Sequence, residues 1–401
     1  MTAPARTTPR LSAGLRGEDE RVTPLELFFD LVFVLALTQC TALMAAEPTW
    51  AGFGKAALIL TVLWWSWSGY AWLTSVIDPE DDLVRLSIIA AMAAFLLAAL
   101  AIPNVFEEDA LVFAGAYAGV RAAHIALFWL ASRDDPALRS AVAGLAVSTL
   151  LASGALAAAS AADGTVQALL WVVAIVVDIG VPVLLIDADG WRMSPRHFAE
   201  RFGLIVIIAL GESIVAIGVG AEFGVTWGTG TAAVLAMVCT AALWWLYFDV
   251  VALVAARRLE NAAPGRERNS IGRDSFGVLH LPMIAGIVFI ALGFKKTLGH
   301  VDEHLKLEPA VALLGGTAAY LLAHVAFRWR NIHTLNRQRL VMSVVLVALV
   351  PVATEVPALA ALAGLTVLLA GLVAYERVRF RETRARLRER LLHPAPPEDT
   401  D

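Results

Sequence analysis

Residues 24–46 read PLELFFDLVFVLALTQCTALMAA, and this stretch decides the fold. A transmembrane helix needs about 20 consecutive, mostly apolar residues, because the hydrocarbon core of a bilayer is about 30 Å thick. The apolar run over 25–46 meets that length. It is also longer than the apolar core of a secretory signal peptide, which has about 7–15 residues. We therefore expect this run to stay in the membrane as the first helix, with no cleaved signal peptide.

The composition extends the same interpretation to the rest of the chain. Of the 401 residues, 59% are hydrophobic and 17% are charged, whereas a soluble domain has roughly 45–50% apolar and 25% charged residues. At roughly 20 residues for each span, the apolar residues would fill about a dozen helices. The composition thus excludes a disordered protein, a disulfide scaffold and a nucleic-acid binder, and it leaves little length for a soluble catalytic domain.

Apolar runs of similar length recur along the chain and predict an all-α integral membrane protein of about twelve transmembrane helices. We place the spans at about 25–46, 51–76, 84–104, 110–131, 138–162, 166–187, 201–222, 226–256, 274–294, 308–328, 337–355 and 357–377. The predicted organisation is a cytoplasmic N-terminal segment, a first six-helix half, a cytoplasmic linker, a second six-helix half and a basic cytoplasmic tail, at 1–24, 25–187, 188–200, 201–377 and 378–401.

The positions of lysine and arginine predict the orientation. Cytoplasmic loops of membrane proteins are enriched in these residues. With the N-terminus inside, only four of the 31 lysines and arginines fall in the predicted outside loops: Lys55, Lys295, Lys296 and Lys306. Gaining or losing one span would destroy this asymmetry, so the distribution favours an even number of helices. Both termini are therefore predicted to be cytoplasmic.

The two predicted halves resemble each other. GAYAGVRAAHIALFW, from Gly115, aligns without a gap with GGTAAYLLAHVAFRW, from Gly315. Three further pairs match at similar offsets: Glu26 with Glu200, Phe28 with Phe202, and Trp64-Trp65 with Trp244-Trp245. Because six helices per half is an even number, the halves would share one topology about an axis along the membrane normal, a plan common in secondary transporters. Chance similarity between alanine-rich helices is the alternative.

Ionisable side chains within the predicted spans are the candidates for function, because a charge at the bilayer centre costs roughly 2.5–3.5 kcal/mol on insertion scales. Asp30 lies one helical turn deeper than Glu26. For Glu26, capping of the helix beside Thr23 explains the position equally well. Arg121 and Glu212, each about 16 Å from an end of its span, are predicted to pair. We expect the whole set to converge on one polar cavity that opens to the cytoplasm: Glu26, Asp30, Arg121, His124, Asp178, Glu212, Asp249, His280 and His324.

Structural explanations compete with these functional ones. A buried Arg–Glu pair can simply hold two helices together, and single histidines can be packing residues. A metal site is chemically feasible, but no metal-binding spacing supports the residues that would form it: Asp30, His124, Asp249 and His280. The chain also contains no nucleotide-binding loop and no hydrolase or metalloprotease motif. We expect neither a metal nor a cofactor.

Aromatic residues predict a wall for the cavity. The candidates lie in the second and eighth spans: Trp64, Trp65, Tyr70 and Trp244. Such side chains can bind a cation through their ring faces. Packing and a belt at the membrane interface are the alternative.

The C-terminal tail is predicted to bind anionic lipids of the bilayer. Its arginines begin where the last span ends: Arg377, Arg379, Arg381 and Arg384. Juxtamembrane basic residues attract anionic lipid by about 1 kcal/mol each. A simple topology anchor is the alternative.

Several motifs resemble those of the bacterial low-temperature-requirement A family of multi-pass membrane proteins. The first is PLELFFDLVFVLALTQ at 24–39. The others are WWSWSGY (64–70) followed by DPEDD (78–82), ERFGLIVIIALGES (200–213), WWLYFD (244–249) and HLPMIAG (280–286). The resemblance covers roughly 20–380 and implies a multi-pass protein of the bacterial inner membrane. It singles out Asp30 and Glu212 but implies no substrate or reaction.

Three functions fit the sequence. The leading hypothesis is a secondary transporter or permease of a small solute, with proton coupling as one form, in which Asp30 and Glu212 carry protons or cations and Arg121 is their counter-ion. The second is an intramembrane enzyme acting on a lipid or isoprenoid, with Asp30 or Glu212 as the general acid. The third is a structural or sensory membrane protein.

Overall fold

The computed structural model describes residues 21–382 except 187 and 223, together with residue 385. Within those ranges the regular structure is helical, apart from one isolated bridge between His304 and Pro357. The predicted all-α membrane fold is confirmed. In chain order the helices are α1 (Pro24–Ala46), α2 (Trp50–Thr74), α3 (Asp82–Ala101), α4 (Ala110–Ala131), α5 (Pro136–Ala159), α6 (Gly164–Ile175), α7 (Val181–Leu184), α8 (Pro195–Gly220), α9 (Trp227–Phe248), α10 (Val251–Glu260), α11 (Arg266–Ile271), α12 (His280–Gly299), α13 (Leu307–Ala310), α14 (Gly316–Ile332), α15 (Arg337–Ala348), α16 (Val350–Ala353) and α17 (Ala358–Arg379).

Three of the predicted spans contain a π-helical turn, in which the helix carries one extra residue per turn. These turns join α6 to α7, α11 to α12 and α13 to α14, at Val176–Gly180, Gly272–Val278 and Val311–Gly315. Such turns are rare in proteins overall, but those that occur are often found at functional sites. The first of them contains Asp178, one of the predicted site residues.

Among the described residues, eleven helical stretches are long and apolar enough to cross a membrane. The predicted span at 337–355 is not one of them, because it is divided into α15, with 12 residues, and α16, with four. Its two ends nevertheless contact the two ends of α17. Arg339, near the start of the segment, pairs with Glu376, near the end of α17, and α16 at its other end contacts α17, which begins five residues after α16 ends. The segment therefore runs antiparallel along α17, while the number twelve stays a prediction.

The outside of the bundle is apolar, as a surface in contact with lipid must be. Large aliphatic side chains on different helices are more than half exposed: Leu86, Leu111, Leu150 and Val367. The interior holds most of the aromatic residues and, unusually, many polar ones. The polar interior residues form the candidate site.

Helices α1 and α8, the first helices of the two predicted halves, lie side by side. A hydrogen bond joins Asp30 to Arg201, 171 residues later, and another joins Thr38 to Glu212, 174 residues later. Because the two partners advance together along the chain, the helices are parallel. Parallel contact is what two halves related by an axis along the membrane normal would produce, so this packing supports the predicted repeat without testing its extent.

Candidate functional site

The predicted site residues lie inside the protein. Eight of the nine are at most 3% exposed, and Asp249 is half-buried. They were predicted to converge on one cavity, but they form several local groups on different helices. The expected single cavity is therefore wrong, because depth in the membrane can be judged from the sequence whereas the direction of a side chain around its helix cannot.

Arg121 on α4 belongs to a group within the first half. Its Nη2 donates to Asp178 Oδ1 at 2.9 Å and to Thr149 Oγ1 at 2.8 Å. Thr149 in turn donates to the same carboxylate oxygen at 3.1 Å. The Tyr117 hydroxyl donates to the other oxygen. Three donors from α4 and α5 thus hold the Asp178 carboxylate, which the π turn of the sixth span presents to them.

The predicted pair of Arg121 with Glu212 is not formed. Glu212 on α8 instead contacts the Thr38 hydroxyl of α1. The Thr38 hydroxyl also lies 3.2 Å from the Val34 carbonyl. A hydroxyl has one proton to donate. If that proton goes to the carbonyl, then the Thr38 oxygen accepts from a protonated Glu212, a state that suits a buried carboxyl group.

His124, one turn after Arg121, contacts the backbone of α2. Its Nε2 is 3.0 Å from the Gly69 carbonyl oxygen, so Nε2 donates to that carbonyl. A Cβ atom at residue 69 would lie 2.9 Å from the His124 ring. Only glycine lets the His124 ring approach the α2 backbone this closely, and this explains why the WWSWSGY segment has glycine at residue 69.

A second group, which we call the α1–α8 ladder, consists of Glu26, Asp30, His197 and Arg201. His197 Nε2 lies 2.8 Å from a Glu26 oxygen, and Arg201 Nη2 lies 2.7 Å from Asp30 Oδ1. All four side chains are at most 1% exposed. Glu26 also forms the capping box with Thr23, so the capping explanation is confirmed as well.

Neither basic member of this ladder was among the predicted site residues. The span was predicted to begin at residue 201, whereas α8 begins at Pro195. The missed signal is the spacing: His197 and Arg201 are four residues apart, as are Glu26 and Asp30, so each pair lies on one helix face.

The first-half cavity adjoins the Arg121 group. Its volume is about 80 Å³, within about 590 Å³ of empty space once its open mouth is counted. Arg121 and His124 lie in its wall. Most of the remaining wall is apolar: Trp65, Trp72, Phe128, Leu145, Pro182, Ile186 and Trp191. Asn269 and Arg273 supply further polar groups.

The second-half cavity lies between α9, α10, α14, α15 and α17 and encloses about 840 Å³, again counting its mouth. Its polar wall consists of Asp249, His324, Arg328, Asn336, Arg339 and Glu376, together with Trp245 and apolar neighbours. Arg339 binds both oxygens of Glu376, at 3.0 and 2.9 Å. Asn336, Arg339 and Glu376 were missed because they lie at the ends of their spans, where charge is ordinary.

The two cavities match across the predicted repeat. Trp65 and His124 line the first, and Trp245 and His324 line the second. These are the residues that the repeat alignment pairs. Each cavity also lies beside a departure from α-helical geometry: the π turn at Asp178 in one half, and the junction between α9 and α10 in the other. The correspondence supports the repeat, which stays a prediction.

The remaining predicted residues are packing residues or lie at the surface. His280 contacts the Tyr247 hydroxyl at 2.8 Å and the Ser275 carbonyl at 3.0 Å. Trp64 donates to the Gly277 carbonyl, and Tyr70 donates to the Val120 carbonyl. Trp244 is 44% exposed and lies outside both cavity walls. Of the four predicted wall aromatics, only Trp65 lines a cavity described above.

The described part of the chain holds no group of three or more His, Cys, Asp or Glu side chains that could bind a metal ion. At the end of α17, Arg377 and Arg379 are exposed, as is Arg381 just beyond it. Their contact with lipid stays a prediction. Arg384 lies outside the described residues.

Comparison with known proteins gives two matches. The family model described as "Bacterial low temperature requirement A protein (LtrA)" matches residues 21–374. An uncharacterized protein of Rhizobium meliloti (strain 1021) is 31% identical over 307 residues, which cover 74% of each chain. The family model covers all of the site residues described above except Glu376 and the exposed arginines that follow it.

Proposed function

Because the chain belongs to the bacterial low temperature requirement A family, whose name states no reaction, we propose a function from the site itself: a permease for a small solute that binds in the first-half cavity. We place the protein in the bacterial inner membrane with both termini in the cytoplasm. Its membership of a multi-pass membrane family with many apolar helices supports the general location. The lysine and arginine distribution supports the orientation.

The π turn of the sixth span beside this cavity carries the proposal. Such turns inside membrane helices are often found at functional sites. In secondary transporters the substrate site lies near the middle of the membrane and is formed where the helices depart from regular geometry. Here the span passes through a π turn at Asp178, and its continuation supplies Pro182 and Ile186 to the cavity wall.

The lining favours a solute with an apolar body and one anionic group. Trp65, Trp72 and Trp191 would cover the body. The Arg121 guanidinium would face the anionic group, since arginine matches the planar geometry of a carboxylate. Arg121 Nη2 binds Asp178 Oδ1 at 2.9 Å. A carboxylate solute would compete with Asp178 for the guanidinium, and this competition would link binding to a movement of the sixth span.

The geometry is less favourable for an intramembrane enzyme. A general acid must reach its substrate. Asp30 and Glu212 line neither of the two cavities. Asp178 lies next to one, but it accepts hydrogen bonds from Arg121, Thr149 and Tyr117. These contacts suit a carboxylate that holds its partners in place.

Uptake of radiolabelled benzoate into proteoliposomes tests the proposal. We expect saturable uptake that exceeds that of protein-free liposomes. Arg121→Lys keeps the positive charge opposite Asp178 but loses the planar, two-nitrogen contact, and should lower the initial rate by about tenfold or more. The control is Arg139→Lys, because Arg139 lies over the Trp129 ring, outside the cavity wall. Equal rates for the two variants, or no uptake by the wild type, would contradict the proposal.

Glu212 is the proton site that we propose for a coupled form of this transport. Glu212→Gln keeps a group that can donate to the Thr38 oxygen but cannot release a proton. We expect it to remove the stimulation of benzoate uptake by a pH gradient while leaving exchange at equal pH unchanged. Glu200→Gln, at an exposed residue of the same helix, serves as the control. A Glu212→Gln variant that still responds to the gradient would rule this proton site out.

A further inference from the structure

The second-half cavity contains an arrangement that the proposed function does not use. His324 on α14 and Trp245 on α9 both lie in its wall. His324 is 1% exposed. Its ring contacts Arg339, and Trp245 lines the same cavity. The hydrogen-bond requirements of these two rings restrict what can bind there.

The contact with Arg339 determines where the proton of His324 lies. Arg339 Nη1 is 2.5 Å from His324 Nδ1. A guanidinium nitrogen can only donate a hydrogen bond. His324 Nδ1 is therefore the acceptor, the ring is neutral, and the remaining proton is on Nε2. His324 thus presents an N–H donor on the side away from Arg339.

Two donors in this cavity wall are left without an acceptor. Within the described part of the chain, neither His324 Nε2 nor Trp245 Nε1 has a hydrogen-bond partner, although both atoms are buried. The indole nitrogen, like the protonated histidine nitrogen, can only donate. Buried donors are nearly always paired. Both atoms therefore require an acceptor, and a molecule in the cavity can supply it.

The charges around the cavity favour a negatively charged acceptor. Arg328 and Arg339 line it, and the Arg377 guanidinium lies 5.4 Å from the centre of the Trp245 ring. The acids in the wall are Asp249 and Glu376, and both Glu376 oxygens are occupied by Arg339. Cations thus outnumber anions among these groups, and a bound anion would balance them.

We propose that the second-half cavity binds a small anion, of the kind represented by acetate and chloride, between the Trp245 indole N–H and the His324 Nε2–H. The anion accepts from both donors and lies near Arg339, whose own carboxylate partner is Glu376. This proposal does not depend on transport. A protein that binds the anion but moves no solute would contradict the permease function and leave this site intact.

Indole N–H resonances of the purified protein in detergent test this directly. Tryptophan is labelled with ¹⁵N in the indole ring, and the Trp245 resonance is identified by its absence from W245F. Sodium acetate and sodium chloride are titrated separately into a buffer of constant ionic strength. We expect the Trp245 resonance to shift downfield and to saturate. If the shift saturates at a lower concentration of acetate than of chloride, the site prefers a carboxylate. If it saturates at a lower concentration of chloride, the site prefers a halide.

Trp244 provides a matched control, since it is the neighbouring tryptophan but lies outside the cavity wall. Its resonance should not move, and W244F should bind as the wild type does. In W245F, binding followed by calorimetry should weaken by about tenfold, the effect of losing one hydrogen bond to a charged group. If W245F does not fold, thermal stabilisation of the wild type by each anion provides a second measurement. A Trp245 resonance that neither anion shifts, with no stabilisation, would overturn the proposal and leave water as the acceptor.

Discussion

Replacing Arg201 with methionine is expected to lower the free energy of unfolding by about 3–5 kcal/mol, because it leaves the Asp30 carboxylate buried without its cation. Asp30 is 0% exposed, and the Trp67 indole, at 2.8 Å, would be the remaining donor to Oδ1. Methionine fills a similar volume, so the loss reports the charge rather than a cavity. Unfolding of the detergent-solubilised protein, followed by circular dichroism, measures the change.

Arg192→Met is the matched control for this prediction. Arg192 also binds an aspartate, Asp135, at 2.8 Å, but its side chain is 66% exposed. Exposed ion pairs contribute about 0–1 kcal/mol, so this variant should lose little stability. Adding Asp30→Asn to Arg201→Met should recover much of the loss, since no charge is then left unpaired. If Arg201→Met costs no more than Arg192→Met, the ladder does not join the two halves.

Asp178→Asn is expected to be nearly as destabilising, by about 3 kcal/mol, because Arg121 then lies buried without a counter-ion. Adding Arg121→Gln should restore most of the stability by removing the unpaired charge. The double variant should nevertheless fail to take up benzoate, since Arg121 is the anion contact of the proposed permease. Stability and transport are thus separated within one pair of residues.

Asp163→Asn is the control for this pair, because Asp163 precedes the same span but is exposed. It should change neither the unfolding free energy nor the uptake. A double variant that transports normally would show that Arg121 and Asp178 only hold α4 and the sixth span together. Failure of the double variant to regain stability would show instead that Tyr117 and Thr149 depend on the carboxylate.

The helices could be predicted from the sequence because a bilayer imposes one length on each apolar run. The predicted helix bounds are wrong where something other than the thickness of the bilayer decides where a helix begins. Helix α8 begins at Pro195, six residues before its apolar part, because His197 and Arg201 are neutralised by acids on α1. The sequence contained these acids, but hydropathy treats every charge as a reason to end a span.

Eight of the nine predicted ionisable site residues are buried, but the predicted pair of Arg121 with Glu212 is not formed. Arg121 and Glu212 share a depth of about 16 Å from an end of their spans, whereas Asp178 lies at about 14 Å, a difference of little more than one residue. Depth therefore could not distinguish the two acids. The neighbours of a helix decide which side chains meet: α4 packs beside α5, α5 packs beside the sixth span, and Asp178 of that span reaches Arg121. The π turn that turns Asp178 towards Arg121 has no local sequence signature.

The α1–α8 ladder has a consequence for how the protein is made. Its acids leave the ribosome with α1, and its bases follow 171 residues later. At roughly 5–20 residues per second this delay is about 10–30 s. During that interval α1 carries two carboxyl groups with no cationic partner, so the insertion machinery must shelter the first half or tolerate their protonated forms until synthesis of α8 completes the pair.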